Sequence, residues 1–157
     1  MRLMTDFLGG TQQILPFEPE HLYRMEYKGD TLEYMEEIPN YFDYICEHAY
    51  TNLTWTGFNN GKPIVVFGCR PIFEKNFEAW MIPGVGIESS PISVVKGGRV
   101  LFSQVEEEYN LNRLQIAVRC DNDTAVNYAR ALYFKVESTL KAYGPEGQDY
   151  YMMTRKP

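Results

Sequence analysis

The sequence contains few of the residues that build disulfide frameworks and metal centres. Three cysteines and two histidines occur among its 157 residues, and there is no C-x-x-C pair. Because a bound metal needs clustered ligands, and His21 and His48 have no partner at a ligand spacing, we expect no metal site. Cys46, Cys69 and Cys120 each lie in an apolar stretch, which predicts buried residues with free thiols.

Long apolar runs and a basic charge balance are missing as well. No stretch approaches the roughly 20 apolar residues that a membrane-spanning helix needs, and the first ten residues lack the apolar core of a signal peptide. The net charge is −6, whereas nucleic-acid binders usually present a basic surface. We therefore expect neither a membrane nor a nucleic acid as partner, and a location in the cytoplasm or in a particle assembled there.

What the sequence does contain is enough apolar material for one folded domain. Hydrophobic residues make up 45% of the chain and aromatic residues 15%, with twelve tyrosines. A chain of this length buries roughly two-thirds of its unfolded surface on folding. We expect a single domain over residues 1–157, with residues 1–16 as an extension or a first strand.

Residues 18–50 are predicted to be helical. Pro19 suits a first helical turn, and Gly29 is expected to end that helix. A second helix is predicted from Thr31 to about Tyr50, with a kink or break at Pro39. Its polar face carries acidic residues: Glu33, Glu36, Glu37, Asp43 and Glu47. This face is either a solvated surface or a docking surface for a basic protein partner.

The remaining chain predicts strands with two further helices. Asn60-Gly61 between two β-rich runs indicates a hairpin, and a third strand is predicted over residues 76–82. A helix ending near Tyr109 is expected to begin only after Gly98, since glycine inside a helix costs up to about 1 kcal/mol. A strand, a helix over residues 124–132 and two strands around a GPEG turn complete an α+β fold with one mixed, mostly antiparallel sheet.

The stretch DNDTAVNYARALYF, residues 121–134, resembles a known signature. Asn122, Ala125 and the later Leu132-Tyr133-Phe134 are similar to the N-x-x-A and L-G-F motifs of the GCN5-related N-acetyltransferase (GNAT) superfamily. The resemblance implies a GNAT fold, acetyl-CoA as cofactor and an amine as acetyl acceptor. Asn122 is then either a cofactor contact or the N-cap of the helix.

The chain departs from the GNAT pattern at two positions of this stretch. Catalytic members often carry a tyrosine that protonates the departing thiolate seven residues after the Asn, where this chain has Ala129. A methyl group cannot transfer a proton. Tyr133 replaces the glycine of L-G-F, which puts the tight backbone geometry at that position in question.

A third departure concerns the loop that binds pyrophosphate in the family. By the family's usual spacing this loop should fall near residues 90–95, which contain no glycine. Gly97, Gly98 and Arg99 form an alternative phosphate cradle, unless the glycines belong to a loop or helix start. Glu78 is the candidate general base, or else a solvent-facing strand carboxylate.

These departures favour a GNAT fold that works without catalysis, as a binding or structural module. The pattern also looks like divergent acetyltransferase-like proteins of tailed bacteriophages, which suggests a virion component with protein partners on the acidic, Tyr-rich surface. The alternative is an acetyl-CoA-dependent N-acetyltransferase acting on an amine. A third possibility is a sensor of small molecules or acyl-CoA without turnover.

Overall fold

The computed structural model describes residues 12–27, 29–36, 39–49, 51–87 and 92–155. The strands are β1 Gln12–Pro16, β2 Thr54–Asn59, β3 Lys62–Phe73, β4 Asn76–Pro83, β5 Arg113–Arg119, β6 Phe134–Leu140 and β7 Tyr150–Arg155. The helices are α1 Pro19–Arg24, α2 Gly29–Glu36, α3 Tyr41–His48, α4 Ile92–Glu108 and α5 Asp123–Ala131, with a 3₁₀ turn at Thr51–Leu53. None of the described helices is long and apolar enough to cross a membrane.

The strands form one seven-stranded sheet in the order β1-β2-β3-β4-β5-β7-β6. Strands β4 and β5 run parallel, whereas β1–β2, β2–β3, β5–β7 and β6–β7 are antiparallel pairs. This arrangement confirms the predicted α+β class and the mixed, mostly antiparallel sheet. The predicted order of elements is also found, with β1 in the segment expected to be an extension or a first strand.

The chain divides into two compact units, of which the first comprises the chain up to Arg70 together with Met81–Gly97. Its centre is the predicted hairpin, in which Asn59 pairs with Lys62. Asn60 and Gly61 have φ values of 53° and 74°. Two consecutive residues with positive φ form the turn that matches the twist of a hairpin, which is why Asn-Gly occurs here.

The helix boundaries of the first unit agree with the prediction at Pro39 and differ from it at Gly29. α2 and α3 are separate helices on either side of Pro39, as expected, and Asn40 adopts φ 54° before α3. The expectation that Gly29 ends the first helix is wrong. α1 already ends at Arg24, where Met25 turns extended and the Tyr27 hydroxyl donates to the Leu22 carbonyl.

The second unit comprises Pro71–Trp80 and Gly98–Pro157. β7 lies between β5 and β6, and α5 packs on β5 and β6. Large apolar side chains that are almost fully buried form the core of this unit: Phe77, Phe102, Leu114, Phe134 and Met153. The alternate residues of β5 are only half-buried, so the two faces of this strand have different environments.

Helix α4 begins earlier than the sequence predicted. It begins at Ile92 and passes through both Gly97 and Gly98. A Cβ atom on Gly98 would lie 2.9 Å from Leu132 Cδ2, so a larger residue at position 98 would require this buried side chain to shift. The helical cost of the glycine is therefore offset by close packing, an effect that local propensity does not include.

Candidate functional site

Strands β4 and β5 are in register over three positions only. Residues 76–78 of β4 lie opposite residues 113–115 of β5. β5 continues to Arg119 and stays paired with β7, but Ala79 and Trp80 have no register partner on it. Where parallel strands separate, the facing backbone N–H and C=O groups are no longer committed to each other, and an extended ligand can bond to them.

Glu78 lies at this point of separation, in the last β4–β5 register pair. Its partner in the pair is Gln115, whose Nε2 donates to Glu78 Oε2 at 3.1 Å. Arg113 Nε donates in turn to Gln115 Oε1 at 2.6 Å. The Glu78 carboxylate is thus half-buried and held by a hydrogen bond, and does not simply point into solvent.

The same chain of contacts reaches a second carboxylate. Arg113 binds Glu137 with two nitrogens, Nη1 to Oε1 at 3.1 Å and Nη2 to Oε2 at 2.7 Å. Glu137 lies at a bulge of β6, where the register with β7 shifts between Val136 and Ser138. A bulge turns a side chain out of the regular alternation. The four side chains form one polar network of the second unit.

Asn122, which had two interpretations, caps helix α5. Its side-chain oxygen accepts the Ala125 N–H at 3.1 Å, and the Asn122 carbonyl accepts the Val126 N–H. The predicted N-cap is therefore confirmed, and it also explains the N-x-x-A spacing, because the capped N–H belongs to the third residue after the Asn. A contact of Asn122 with a cofactor remains a prediction.

Ala129, at the position where the resemblance implies a proton donor, is fully buried. Val126 and Leu132, on the same side of α5, are buried as well, while Tyr128 is half-buried. Ala129 is thus a packing residue. Since a methyl group cannot transfer a proton, position 129 has no acid–base role.

Tyr133 retains a glycine-like backbone conformation. Its φ is 75°, in the left-handed region where a bulky side chain is strained. Its half-exposed ring lies under the guanidinium of Arg99, 4.4 Å from ring centroid to Cζ, and 5.9 Å from that of Arg155. Cation–π attraction to these two groups offsets part of the strain. Position 133 thus has a glycine-like backbone conformation without a glycine.

The three residues predicted to bind phosphate all belong to helix α4. Gly97 and Gly98 are helical residues inside α4, so the loop or helix-start interpretation of them is wrong. Arg99 Nε donates to the Ala131 carbonyl at 2.6 Å. Of the loop expected at residues 90–95, Ser90 and Pro91 lie outside the described residues. A phosphate role for Gly97, Gly98 and Arg99 remains a prediction.

Sequence reasoning missed a buried ion pair between α4 and β7. Arg155, 4% exposed, donates to Glu106 Oε1 at 2.7 Å and to Ser103 Oγ at 3.1 Å. Burial raises the pKa of Glu106, against the opposing effect of Arg155, and burial lowers the pKa of Arg155. Arg155 lies two residues after Met153, which is buried. Because strand residues two apart face the same side of the sheet, this spacing places Arg155 on the inner face of β7.

A cluster around His21 was also not expected. The ligand atoms of Glu18, Glu20 and His21 lie within 4.8 Å of one another. However, His21 Nδ1 accepts the Glu18 N–H at 3.1 Å and lies 2.8 Å from Thr56 Oγ1. The neutral ring therefore carries its proton on Nε2, which leaves neither nitrogen free as a ligand. Burial lowers the pKa of His21.

The cysteines are free thiols, but only one of the three is buried. Cys69 is fully buried, and burial raises the pKa of its thiol to about 12. Cys46 and Cys120 are half-buried, so the prediction of burial is too strong for them. The pKa of Cys46 is also raised, mainly by burial.

The acidic side chains of the predicted helical region are exposed where the structure describes them. Glu36, Asp43 and Glu47 are exposed side chains, and so are Tyr23 and Tyr44. Glu37 lies outside the described residues. Exposure fits both the solvated surface and the docking surface, so a protein partner here remains a prediction.

Comparison by sequence finds neither a matching family model nor a matching curated protein. Comparison by structure finds many acetyltransferases. An acetyltransferase of the GNAT family from Bacillus anthracis superposes with a TM-score of 0.72 at 12% identity, covering 98% of this chain and 97% of that chain. RimL, a ribosomal L7/L12 alpha-N-protein acetyltransferase, gives 0.69 at 13% identity, covering 100% and 96%.

A third neighbour was solved with the cofactor. The microcin C7 self-immunity acetyltransferase MccE, in complex with acetyl-CoA and AMP, gives a TM-score of 0.68 at 13% identity, covering 96% of this chain and 94% of that chain. Over nearly its whole length the chain therefore has the GNAT acetyltransferase fold. None of these three structures is a phage structural protein, so the expected bacteriophage subclass finds no support in them.

Proposed function

We propose that this chain is an N-acetyltransferase that transfers the acetyl group of acetyl-CoA to an amine. The observation that carries the proposal is the position of Glu78, a hydrogen-bonded carboxylate at the point where β4 and β5 separate. A general base must lie within hydrogen-bond reach of the proton that it accepts. The neighbour of the same fold that was solved with acetyl-CoA supports this choice over a non-catalytic module.

The described backbone fits the amide-containing arm of acetyl-CoA. Beyond the Glu78–Gln115 pair, Ala79, Trp80 and residues 116–119 are extended and have no register partner on each other. An arm with its own N–H and C=O groups can pair with such an edge. The arm would thus be held by backbone groups of the two strands, with its thioester near the carboxylate of Glu78. Bound acetyl-CoA would supply an activated acetyl group.

Glu78 would accept the proton of the attacking amine, directly or through one water molecule. As the new C–N bond forms, the C–S bond of the thioester breaks and the sulfur leaves with the electron pair. Ala129 cannot protonate that sulfur, so the proton is taken from solvent in this scheme. A thiolate with an ordinary pKa near 8.5 is a tolerable leaving group without an acid from the protein.

The competing proposal is a catalytically silent module, including a place in a phage particle. Its support is Ala129, a buried methyl group at the position of the common proton donor, and the absence of glycine from the expected phosphate loop. The two proposals differ in turnover, which makes a direct assay decisive.

The test is release of free thiol from acetyl-CoA in the presence of polyamines, aminoglycosides, lysine peptides and peptides with a free α-amine. RimL, as a protein N-acetyltransferase, motivates the last group. We expect turnover above background with at least one class, and a loss of kcat/KM of roughly 10²–10⁴-fold in Glu78→Gln.

The matched control is Glu107→Gln, which removes an exposed carboxylate of α4 and should leave kcat/KM unchanged. No turnover with any amine, together with no detectable acetyl-CoA binding by calorimetry, would favour the silent module. Equal activity of wild type and Glu78→Gln would remove Glu78 from the mechanism while leaving the enzyme.

A further inference from the structure

We propose that Trp80, Ala117 and Met152 determine which amine the chain acetylates. These three residues, the apolar row, select a primary amine whose neighbouring carbon carries an apolar side chain. All three belong to the second unit. The inference rests on the proposed function, because it names the class of amine that the reaction consumes.

The apolar row lies on the face of the sheet that carries Glu78. Trp80 lies two residues after Glu78 on β4. Gln115 of β5 is in register with Glu78 and donates to it, and Ala117 follows Gln115 two residues later. Met152 of β7 lies opposite Ala117. Because residues two apart on a strand, and residues paired across strands, face the same side of a sheet, all of these side chains share one face.

Helix α4 packs on the opposite face of the sheet. Its Glu106 binds Arg155 of β7 at 2.7 Å, and Arg155 is paired with the buried Leu114 of β5. Leu114 precedes Gln115 and therefore faces away from Glu78. The apolar row lies on the side away from α4, and its three side chains are half-buried. Part of their apolar surface is thus accessible to an amine that approaches Glu78.

Ala117 forms the lowest point of the apolar row. The strand order β4-β5-β7 places it between Trp80 and Met152. A methyl group extends less far from the sheet than an indole ring or a thioether, so a depression lies between the two larger side chains. The separation of β4 from β5 beyond their last register pair adds room beside it. Such a depression favours an apolar group, because burying an unpaired polar group costs free energy.

Other side chains border this depression along the strands. At one end lie Glu78 and Gln115, joined by their hydrogen bond of 3.1 Å. At the other end lies Tyr150, which is paired with Arg119 and contacts the ring of Tyr143, with 5.1 Å between the centroids. The depression is therefore one row of side chains long, which suits a single apolar side chain and not an extended hydrocarbon chain.

The spacing along β4 relates the apolar row to the proposed base. Side chains two residues apart on a strand are separated by about 7 Å. A hydrogen bond from an amine to the Glu78 carboxylate spans about 3 Å of this distance. Two or three covalent bonds of about 1.5 Å each cover the rest. A side chain on the carbon next to the amine therefore reaches Trp80 and Ala117, whereas a polyamine would place a second ammonium group there at a large desolvation cost.

The first test compares acceptors that differ only in this substituent. Two lysine-free peptides that begin with leucine and with serine should differ in kcat/KM by about ten-fold or more in favour of leucine, the effect of an apolar group in an apolar pocket. Isoamylamine and ethanolamine extend the comparison to amines without a peptide. A preference for isoamylamine would show that the apolar group suffices, and acetylation of the leucine peptide alone would assign the amine to a peptide N-terminus. Equal rates within both pairs would overturn the proposal.

The second test fills the depression with Ala117→Leu. We expect kcat/KM for the leucine peptide to fall about ten-fold, and kcat/KM for the serine peptide to change by less than about two-fold. Val136→Leu is the matched control and should change neither value, because Val136 is exposed and is paired with Met153, on the side of the sheet that faces α4. An equal loss with both peptides in Ala117→Leu would show a general effect on the fold and overturn the proposal.

Methionine methyl resonances of ¹³C-labelled wild type test the same surface without turnover. Met152 and Met153 are adjacent in β7 but face opposite sides of the sheet, and Met153 is fully buried. With free CoA in place of acetyl-CoA, the leucine peptide at about 1 mM, the upper end of ordinary KM values, should shift the Met152 signal and leave that of Met153 unchanged. The Met152 signal is assigned with Met152→Leu. No shift of Met152, or equal shifts of both methionines, would overturn the proposal.

These experiments distinguish the failure of the inference from the failure of the proposed function. Equal turnover of the leucine and serine peptides would keep the enzyme and remove the apolar row from its specificity. A wild type that acetylates none of these amines would refute the proposed function, and the methyl shifts would then decide whether the apolar row binds an apolar amine.

Discussion

Tyr133 is a bulky residue in a backbone conformation that usually favours glycine. A left-handed conformation costs a non-glycine residue roughly 1–2 kcal/mol. At Tyr133, stacking with Arg99 at 4.4 Å gives part of this back, since an exposed cation–π contact contributes about 0.5–1 kcal/mol. Position 133 therefore departs from the L-G-F motif in its residue type but has a glycine-like backbone conformation.

This balance predicts the order of two substitutions. Tyr133→Ala loses the stacking and keeps the strain, whereas Tyr133→Gly loses the stacking and removes the strain. We expect Tyr133→Gly to be more stable than Tyr133→Ala by about 1 kcal/mol in urea denaturation. At Tyr143, an exposed tyrosine without positive φ, the order should reverse. Equal stability of the two variants at position 133 would show that its backbone is unstrained.

His21 is a second residue whose environment determines a measurable property. Burial lowers its pKa in the folded state, although Glu18 and Glu20 act in the opposite direction and Arg24 in the same one. The unfolded chain keeps an ordinary histidine pKa near 6.5. Below about pH 7 the unfolded state therefore binds more protons than the folded state, so stability falls as the pH falls.

We accordingly expect the urea midpoint of the wild type to decrease between about pH 7.5 and pH 5.5. His21→Gln should show a smaller decrease over the same range, because the group that titrates is gone. His48→Gln, in which an exposed histidine is replaced, should retain the wild-type decrease. An equal pH dependence in wild type and His21→Gln would assign the effect to other groups.

At the scale of elements, short sequence motifs correctly predicted the turns, helix breaks and caps that depend on neighbouring residues alone. Asn60-Gly61 predicted the turn of the β2–β3 hairpin, Pro39 the break between α2 and α3, and Asn122 the N-cap of α5. The start of α4 was not predictable in this way, because Gly98 is accommodated by contact with Leu132, a residue distant in sequence. The contacts between Glu78, Gln115 and Arg113 could not be predicted either, because they depend on the register of two strands that are distant in the sequence.

The packing of α4 on Leu132 can be tested with one substitution at two glycines. Gly29→Ala, at a position with no heavy atom within 4 Å of the added Cβ, should raise stability by about 0.4–1 kcal/mol. Gly98→Ala should give no such gain, since the new methyl would lie 2.9 Å from Leu132 Cδ2. In a Leu132→Ala background the gain at position 98 should reappear. A gain in the wild-type background would show that the close approach is not restrictive.

At the scale of the whole molecule, the negative net charge of the chain opposes the binding of acetyl-CoA, which is also negatively charged. The chain carries a charge of −6, and acetyl-CoA carries several phosphate charges. Long-range repulsion of this kind is screened by salt, with a Debye length of about 10 Å at 0.1 M. Backbone N–H groups, unlike lysine and arginine, add no net charge to a binding site. Binding through backbone groups therefore has a salt dependence opposite to binding through a basic patch.

The proposed function thus predicts how acetyl-CoA affects global stability. At a concentration 100 times its dissociation constant, acetyl-CoA should stabilise the folded chain by about 2.7 kcal/mol, which raises the melting temperature by roughly 5–10 °C. Because repulsion is screened, this increase should persist or grow between about 0.05 and 0.5 M NaCl. Free acetate at the same concentrations should have no effect. No change in melting temperature at about 1 mM acetyl-CoA, the upper end of ordinary KM values, would contradict the enzyme proposal, and a shift abolished by salt would indicate a basic phosphate site instead.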